Sequence, residues 1–324
     1  MTMQPVTEVH TINLGVSETH RWSGLIEEAQ EEARDLVDQA KEDCAPYLGK
    51  YSPLPWLFNL SYRSTGGLYG DEMAAWAKGI NRSASLLVAL NFTYELSHVT
   101  GRLFGCTAGV TQTRSGLTLV RNMDWPLTAV GPATRIIEFK GKNNLLSVGM
   151  AGYVGVLSGM VPGKFAVTIN WAPPQGIPTF DWSPMVLLRE TMLTAKTYEE
   201  LVETLCKTTL STSVFFTVCG VKEACIIERT PTQYHVREKE DDKPLIISNH
   251  FAPTGAFKGL NADPEVLEFS ECRMDALHSA LRNTRKEPVY SLDKYPLLHE
   301  ATGQQMSMCP NSDSLLVWAE DGKE

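Results

Sequence analysis

A chain of 324 residues with 43% hydrophobic and 21% charged side chains has the make-up of one large globular domain or two ordinary ones, not of a disordered protein. Its formal net charge of −9 lacks the basic stripe of a general nucleic-acid binder, so no nucleic-acid partner is expected. Seven cysteines, an odd number without a C-x-x-C pair, read as reduced thiols in a reducing compartment, and seven scattered histidines offer no metal-ligand spacing.

The opening "MTMQPVTEVHTINLG" has neither a basic region nor a continuous apolar core, so no signal peptide is read and a cytoplasmic location is expected. No stretch reaches the ~18 apolar residues of a membrane span. "TEVHTINLG" predicts one short strand. "HRWSGLIEEAQEEARDLVDQAKEDCAPYLG" then places Trp22, Leu25, Ile26, Ala29, Ala33, Leu36, Ala40 and Cys44 on one face of a single helix, closed by Pro46 and Gly49. Residues 50–70, rich in aromatic and turn residues, read as a core-packed connector or as an apolar loop that docks on a lipid surface or shapes a substrate mouth. Two further helices follow, in "GDEMAAWAKGIN" and "SASLLVALNFTYELSHV".

From residue 104 the pattern turns to strands. "CTAGVTQT" and "LTLVRNMDW" flank the turn Arg114-Ser115-Gly116, a hairpin signal, and "TRIIEFK", "LLSVGMAGYVGVLSGMVPG" and "KFAVTINWA" continue the sheet. Helices return in "SPMVLLRETMLTA" and in "TYEELVETLCKT", the second opened by the capping box Thr197-x-x-Glu200. Strands "SVFFTVCGV", "EACIIERT", "QYHVREK" and "PLIISNHF", helices at about 271–283 and 291–301, and a last strand "SLLVWAE" complete the chain. Cys219 and Cys225 could face each other across a hairpin or sit apart as core residues. The order predicts an α+β fold with helical layers over antiparallel sheets, and a break near residue 105 after a mostly helical third.

Cys106 carries the chemical question. A strand-borne cysteine is more often a small buried hydrophobe than a nucleophile. Here Arg121 and Asp124 lie at the far end of the adjoining strand, and antiparallel pairing returns both to its neighbourhood. A guanidinium favours the thiolate. His98 precedes the cysteine on a helix and His250 lies far along the chain, so neither is a convincing base. A cysteine without a histidine can use its own α-amine, which titrates near ~8, provided the Gly105-Cys106 bond is first cut.

The run "CTAG…RNMDW" resembles the start of the mature catalytic subunit in N-terminal-nucleophile cysteine hydrolases, the group of choloylglycine hydrolases, penicillin V acylases, acid ceramidase and N-acylethanolamine acid amidase. The similarity extends through "AGYVGVLSGMVPGKFAVTIN", "LLRETMLTAKTYEELVETL" and "ISNHF", and the preceding ~100 helical residues resemble the α-subunit of the ceramidase and acid amidase branch. The resemblance implies an αββα sandwich of two antiparallel sheets between helical layers. It divides the chain into an N-terminal segment 1–105 and a catalytic part 106–324, which stay associated after self-cleavage. Cys106 would be both the self-cleaving and the catalytic nucleophile, Arg121 would orient the thiol, Asp124 would hold the α-amine, and Asn249 would donate to the oxyanion.

Asn170 stands where the family places a second polar group, and where the ceramidase branch is expected to carry an acid. Arg273 matches a later family arginine, with an exposed helix-end arginine as the plain alternative. Met150, Tyr153, Val154, Leu157, Met160 and Trp171 would line an acyl pocket, or are plain core. The spacing from Cys106 to Arg121 is one residue shorter than the family's; lost from the turn it changes nothing, whereas lost within a strand it would point Arg121 away.

The implied activity is hydrolysis of a fatty N-acyl amide through an acyl-thioester on Cys106, with no metal or organic cofactor. A lipid or micelle surface would be a further partner. The alternatives are an acyl-homoserine lactone, bile-salt or penicillin V type acylase, or an uncleaved lipid-binding relative without catalysis. Relatives with such a helical subunit include lysosomal proteins.

Overall fold

The computed structural model describes residues 2–45, 67–100, 105–175, 179–240, 243–253, 256–257, 260, 263–282 and 292–322, the side chains of Cys44 and of 97–100 excepted. Most of the aromatic stretch 50–70 therefore lies outside the described residues.

Two sheets face each other. The six-stranded one runs β1 (Met3–Val6), β14 (Ser314–Glu320), β13 (Thr302–Cys309), β4 (Leu117–Asp124), β3 (Gly105–Gln112), β12 (Leu245–Ile247), and every pair in it is antiparallel. The eight-stranded one runs β11 (Tyr234–Glu238), β10 (Ala224–Arg229), β9 (Val214–Gly220), β8 (Phe165–Trp171), β7 (Ser158–Val161), β6 (Leu145–Met150), β5 (Thr134–Lys140), β2 (Val9–Asn13). Its edge pair β2–β5 is parallel, a departure from the expected all-antiparallel sheets.

Alternation along the strands sorts the side chains into layers. Val110, Leu119, Val148, Met160, Ala166, Cys219, Met306 and Met308 meet between the sheets. Val120, Leu277, Leu281, Leu292 and Leu297 pack the long helix Pro264–Leu281 onto the outside of the first sheet. The outer face of the second sheet is covered by α7 (Pro184–Thr194), α8 (Tyr198–Lys207) and the N-terminal helices, all in one apolar core. The result is the αββα sandwich.

The N-terminal helical run is broken where the sequence predicts continuity. α1 (Ser23–Glu28) and α2 (Gln30–Cys44) are separated at Ala29, whose ψ of 27° ends one helix and starts the next. The bend lets Trp22, Leu25, Ala29, Ala33 and Leu36 all stay buried. α3 (Gly70–Gly79), α4 (Ala84–Asn91) and α5 (Thr93–Thr100) follow, the last two again split where one helix is expected. The short α6 (Val130–Ala133) and the strands β1 and β13 have no counterpart in the sequence reading. Through β1 and β2 the N-terminal segment supplies an edge strand to each sheet, so the helical third is woven into the sandwich.

No helix forms over 292–301. Lys294 O accepts from Leu297 N and Leu298 N, which closes a single turn, and Pro296 keeps its preceding residue out of the helical region. Cys219 and Cys225 are both free and lie on opposite faces of the β9–β10 hairpin, one between the sheets and one under the helices, so they cannot pair. Among the described residues no helix is long and apolar enough to cross a membrane.

Candidate active site

The site is built on the β3–β4 hairpin. Its strands pair without interruption from Gly105↔Asp124 to Gln112↔Leu117, and Gly116, with φ of +130°, closes the turn. The short spacing between Cys106 and Arg121 is thus absorbed in the turn, and both side chains fall on the inner face. Arg121 is fully buried and has four acceptors: Nη2 donates to Cys106 Sγ at 3.1 Å and Ile169 O at 2.6 Å, Nη1 to Leu157 O at 2.8 Å and Ser158 Oγ at 2.5 Å. Burial alone would push this guanidinium down; the facing Cys106 thiol and Tyr94 hydroxyl reverse that and hold it above its ordinary value. A thiolate at Sγ would have an oriented cation as its partner.

Asp124 leaves the other face of β4 and packs on Gly105, where an added Cβ would come within 2.9 Å of Asp124 Oδ2. Its Oδ1 accepts from Thr302 Oγ1 at 2.7 Å and its Oδ2 from Arg273 Nη1 at 3.2 Å, with His299 Nε2 at 3.1 Å. Arg273 is 2% exposed and mid-helix, which removes the reading of an exposed helix-end arginine. Burial lowers the affinity of its guanidinium for the proton, and Asp124 offsets part of that.

Asn249 joins the two faces. Its Oδ1 accepts from Cys106 N at 2.9 Å and from Arg273 Nη2 at 2.8 Å, while its Nδ2 donates to Trp171 O at 2.8 Å. Both groups at Oδ1 are donors only, which fixes the orientation of the amide. Asn249 therefore accepts from the nitrogen of Cys106, and its donor, expected at the oxyanion, is held by Trp171 O. Asn170 Nδ2 donates to Ser248 O at 3.1 Å, Ser248 Oγ donates to Cys106 O at 3.1 Å, and the buried Asn170 Oδ1 has no hydrogen-bond partner among the described residues.

Of the expected acyl-pocket residues, Met150, Tyr153, Val154, Leu157 and Trp171 share an apolar core with Cys106, whereas Met160 packs between the sheets. Cys106 itself is 1% exposed. Tyr94 from α5 closes over it: its hydroxyl donates to Ile169 O at 3.1 Å, the carbonyl that Arg121 also binds. Burial and the neighbouring Cys106 thiol push the Tyr94 phenol well up, with Arg121 opposing. His250 bonds Ser270 Oγ through Nδ1 at 2.8 Å, and burial lowers its pKa; the side chain of His98 lies outside the described set.

Tyr94, His299, Thr302 and Ser248 escape the sequence reading. Only Ser248 had a local cue, the "SNHF" run; the others reach the site through long-range pairing. Glu8, just before β2, His10 on β2 and Glu28 on α1 bring two carboxylates and a ring nitrogen within 4.8 Å of one another, with no residue in common with the Cys106 cluster.

No family model matches the chain. Among curated proteins it is 25% identical to mouse (Mus musculus) acid ceramidase over 260 residues, 68% of this chain and 63% of that protein. It is also 25% identical to the N-acylethanolamine-hydrolyzing acid amidase of Caenorhabditis elegans over 246 residues, 68% of this chain and 66% of that protein. The chain thus spans just under two thirds of the length of these relatives. A solved C. elegans N-acylethanolamine-hydrolyzing acid amidase ortholog superposes with a TM-score of 0.54 at 21% identity, over 64% of this chain and 93% of that one, and shares the fold. Sequence and fold together make this chain a relative of the acid ceramidases and N-acylethanolamine-hydrolyzing acid amidases.

Proposed function

We propose that the chain is a self-cleaving cysteine amidase that hydrolyses fatty N-acyl amides. The observation that carries the reading is the pairing of Cys106 Sγ with Arg121 Nη2 at 3.1 Å while Cys106 N rests on Asn249 and Gly105 packs on Asp124. Thiol, cation, and polar groups on the nitrogen side flank one peptide bond, and that bond joins segments 1–105 and 106–324.

Cleavage turns Cys106 N into an ammonium with three donors. Asn249 Oδ1 already accepts one, and Asp124 Oδ2 is the near carboxylate for another. The freed amine then serves as base for the thiol, an acyl-thioester forms on Sγ with departure of the substrate's amine, and water regenerates the enzyme. Burial of Cys106 under Tyr94 and α5 supports an order in which the cut precedes substrate entry. Met150, Tyr153, Leu157 and Trp171 are the apolar wall for an acyl chain, presented from a lipid or micelle surface. The unpaired thiols fit a reducing, cytoplasmic setting.

The names of the relatives favour a ceramide or an N-acylethanolamine as substrate. The test is a denaturing gel of purified chain followed by fatty-acid release from ceramide, N-acylethanolamine, acyl-homoserine lactone, bile-salt and penicillin V panels. Pieces of about one third and two thirds of 35.9 kDa, the larger beginning Cys-Thr-Ala-Gly, are expected, and Cys106→Ala should remain whole and inactive. A wild-type chain that stays whole across the pH range and releases no acid from any panel member would be a non-catalytic binding protein.

A further inference from the structure

Cys106 turns its N–H and its carbonyl toward the β12 side of β3, and there the partner strand has already ended. β12 pairs with β3 in the register Leu245↔Val110 and Ile247↔Ala108, so the next pair in line would set Asn249 opposite Cys106. The backbone leaves that line: β12 stops at Ile247, and Asn249 N donates instead to Ser270 Oγ of the helix Pro264–Leu281 at 2.8 Å. Two side chains stand in for the missing strand. Asn249 Oδ1 accepts from Cys106 N at 2.9 Å, and Ser248 Oγ donates to Cys106 O at 3.1 Å. We propose that Ser248 is a positioning residue for amide hydrolysis, holding the nucleophile by its carbonyl once Cys106 has become a chain end. The inference rests on the self-cleavage reading.

Ser248 is fully buried, and its own backbone is fixed from the facing sheet. Its carbonyl accepts from Nδ2 of Asn170, which belongs to β8. On one side Ser248 follows directly from β12, and on the other Asn249 is tied to Ser270, to Trp171 O and to Arg273 Nη2. The hydroxyl is thus presented from a rigid frame, and the carbonyl it serves lies in a buried residue, where an unpaired acceptor is costly.

What this bond contributes depends on whether Gly105 is attached. With Gly105 in place, Cys106 is held covalently at both ends, and Gly105 sits in the β4 ladder opposite Asp124. Without it, Cys106 is held covalently from Thr107 alone, and a chain end frays unless it is tied down. The Cys106 carbonyl lies in one rigid plane with Thr107 N and with the Cα that carries both the amine and the thiol. Pinning that carbonyl limits where Sγ and the amine stand relative to a bound amide, and small displacements of a reacting atom are expensive in rate. Ser248 therefore matters little to the cut and much to the turnover that follows it.

Three variants of the full chain separate the two steps. Each is followed by the rate of fragment appearance, by thermal unfolding, and, once cut, by kcat and KM for fatty-acid release from an N-acylethanolamine or from ceramide, whichever wild type hydrolyses faster. Ser248→Ala should cut within about threefold of the wild-type rate yet turn over about 10- to 100-fold more slowly at unchanged KM, the scale of a lost buried hydrogen bond and a displaced nucleophile. Ser248→Thr keeps the hydroxyl and should recover most of kcat. Ser248→Cys keeps the size but offers only a weak donor, so it should lose kcat as well, and it decides the matter if the alanine variant does not fold. Wild-type kcat in the alanine or the cysteine variant overturns the proposal. So does equal slowing of the cut and of turnover, which is what a merely structural residue would give. A wild-type chain that never cuts, or that cuts and hydrolyses neither amide, overturns the amidase reading and this proposal with it, and wild type alone shows that.

Discussion

Among the described residues Arg121 has no carboxylate partner; it is fully buried, and four acceptors fix its plane. Such a cation is costly to bury unless its N–H groups are used; both Nη atoms are, the Cys106 thiol taking one bond, while Nε has no partner among the described residues. Arg121→Lys keeps the charge but replaces a planar fork by one nitrogen with three donors, which cannot serve Leu157 O, Ile169 O, Ser158 Oγ and Cys106 Sγ together. Each acceptor left unpaired costs about 1–3 kcal/mol, so the variant should unfold several degrees earlier and lose at least about 100-fold in cleavage rate. Parallel melting and fragment-appearance assays check this; a lysine variant that cleaves normally would show that the thiol needs only a nearby charge. At this scale the sequence spoke where partners are close in the chain. Cys106, Arg121 and Asp124 belong to one hairpin and were legible from its alternation. Arg273 and Asn249 needed the resemblance, and His299 and Tyr94 were silent because strand pairing and helix packing alone bring them to the site.

α5 puts a second titratable group into the core beside Tyr94. Glu95 is 4% exposed and accepts from Ser211 Oγ at 2.7 Å; burial pushes its carboxyl above the ordinary 4.5, and the Ser211 bond opposes. The folded state therefore holds this proton more tightly than the unfolded chain. The resulting stability is present in full below about pH 4.5 and is lost as pH rises toward the raised value, by up to about 1.4 kcal/mol per pH unit. Glu95→Gln keeps the acceptor for Ser211 and removes the titration, so its stability should gain on wild type with rising pH. Urea unfolding of both chains from pH 4.5 to 8 measures the difference, and parallel slopes would refute it. Element by element, the sequence was read best where pattern and capping agree, as in α8, where Thr197 Oγ1 accepts from Glu200 N at 3.2 Å. It failed at β13, whose "TGQQMSMC" lacks β-branched residues save its first and owes its strand to pairing with β4 and β14 on both sides. Over 292–301 it erred the other way, because a leucine-rich stretch suggests a helix that Pro296 prevents.

Under the proposed cut at Gly105-Cys106 the whole molecule would have to hold together without that peptide bond, and the segment before it is bound in three ways. β1 and β2 each form one edge strand of a sheet, the helices from Trp22 to Leu96 share the largest apolar core with α7, and Glu72 is fully buried against Arg189. Glu72 Oε2 accepts from Arg189 Nη1 at 2.6 Å and Trp22 Nε1 at 2.7 Å, and Oε1 from Arg189 Nη2 and Arg21 Nη1, each at 2.9 Å. Arg189 also stacks on Tyr69 at 3.7 Å and Phe139 at 4.3 Å. Glu72 belongs to the segment before Gly105 and Arg189 to the part after it, so the pair is a cross-cut contact. Removing one partner strands a buried charge, which typically costs about 3–5 kcal/mol, while replacing both by apolar residues costs far less. Cleaved wild type should therefore run as one species on size exclusion. Glu72→Ala should weaken the two fragments' hold by about 150- to 4,000-fold, and Glu72→Leu with Arg189→Met should restore most of it. Fragments of Glu72→Ala that stay together at the same dilution as wild type would mean that the edge strands and the apolar core suffice, with the ion pair serving only to fix how α3 meets α7.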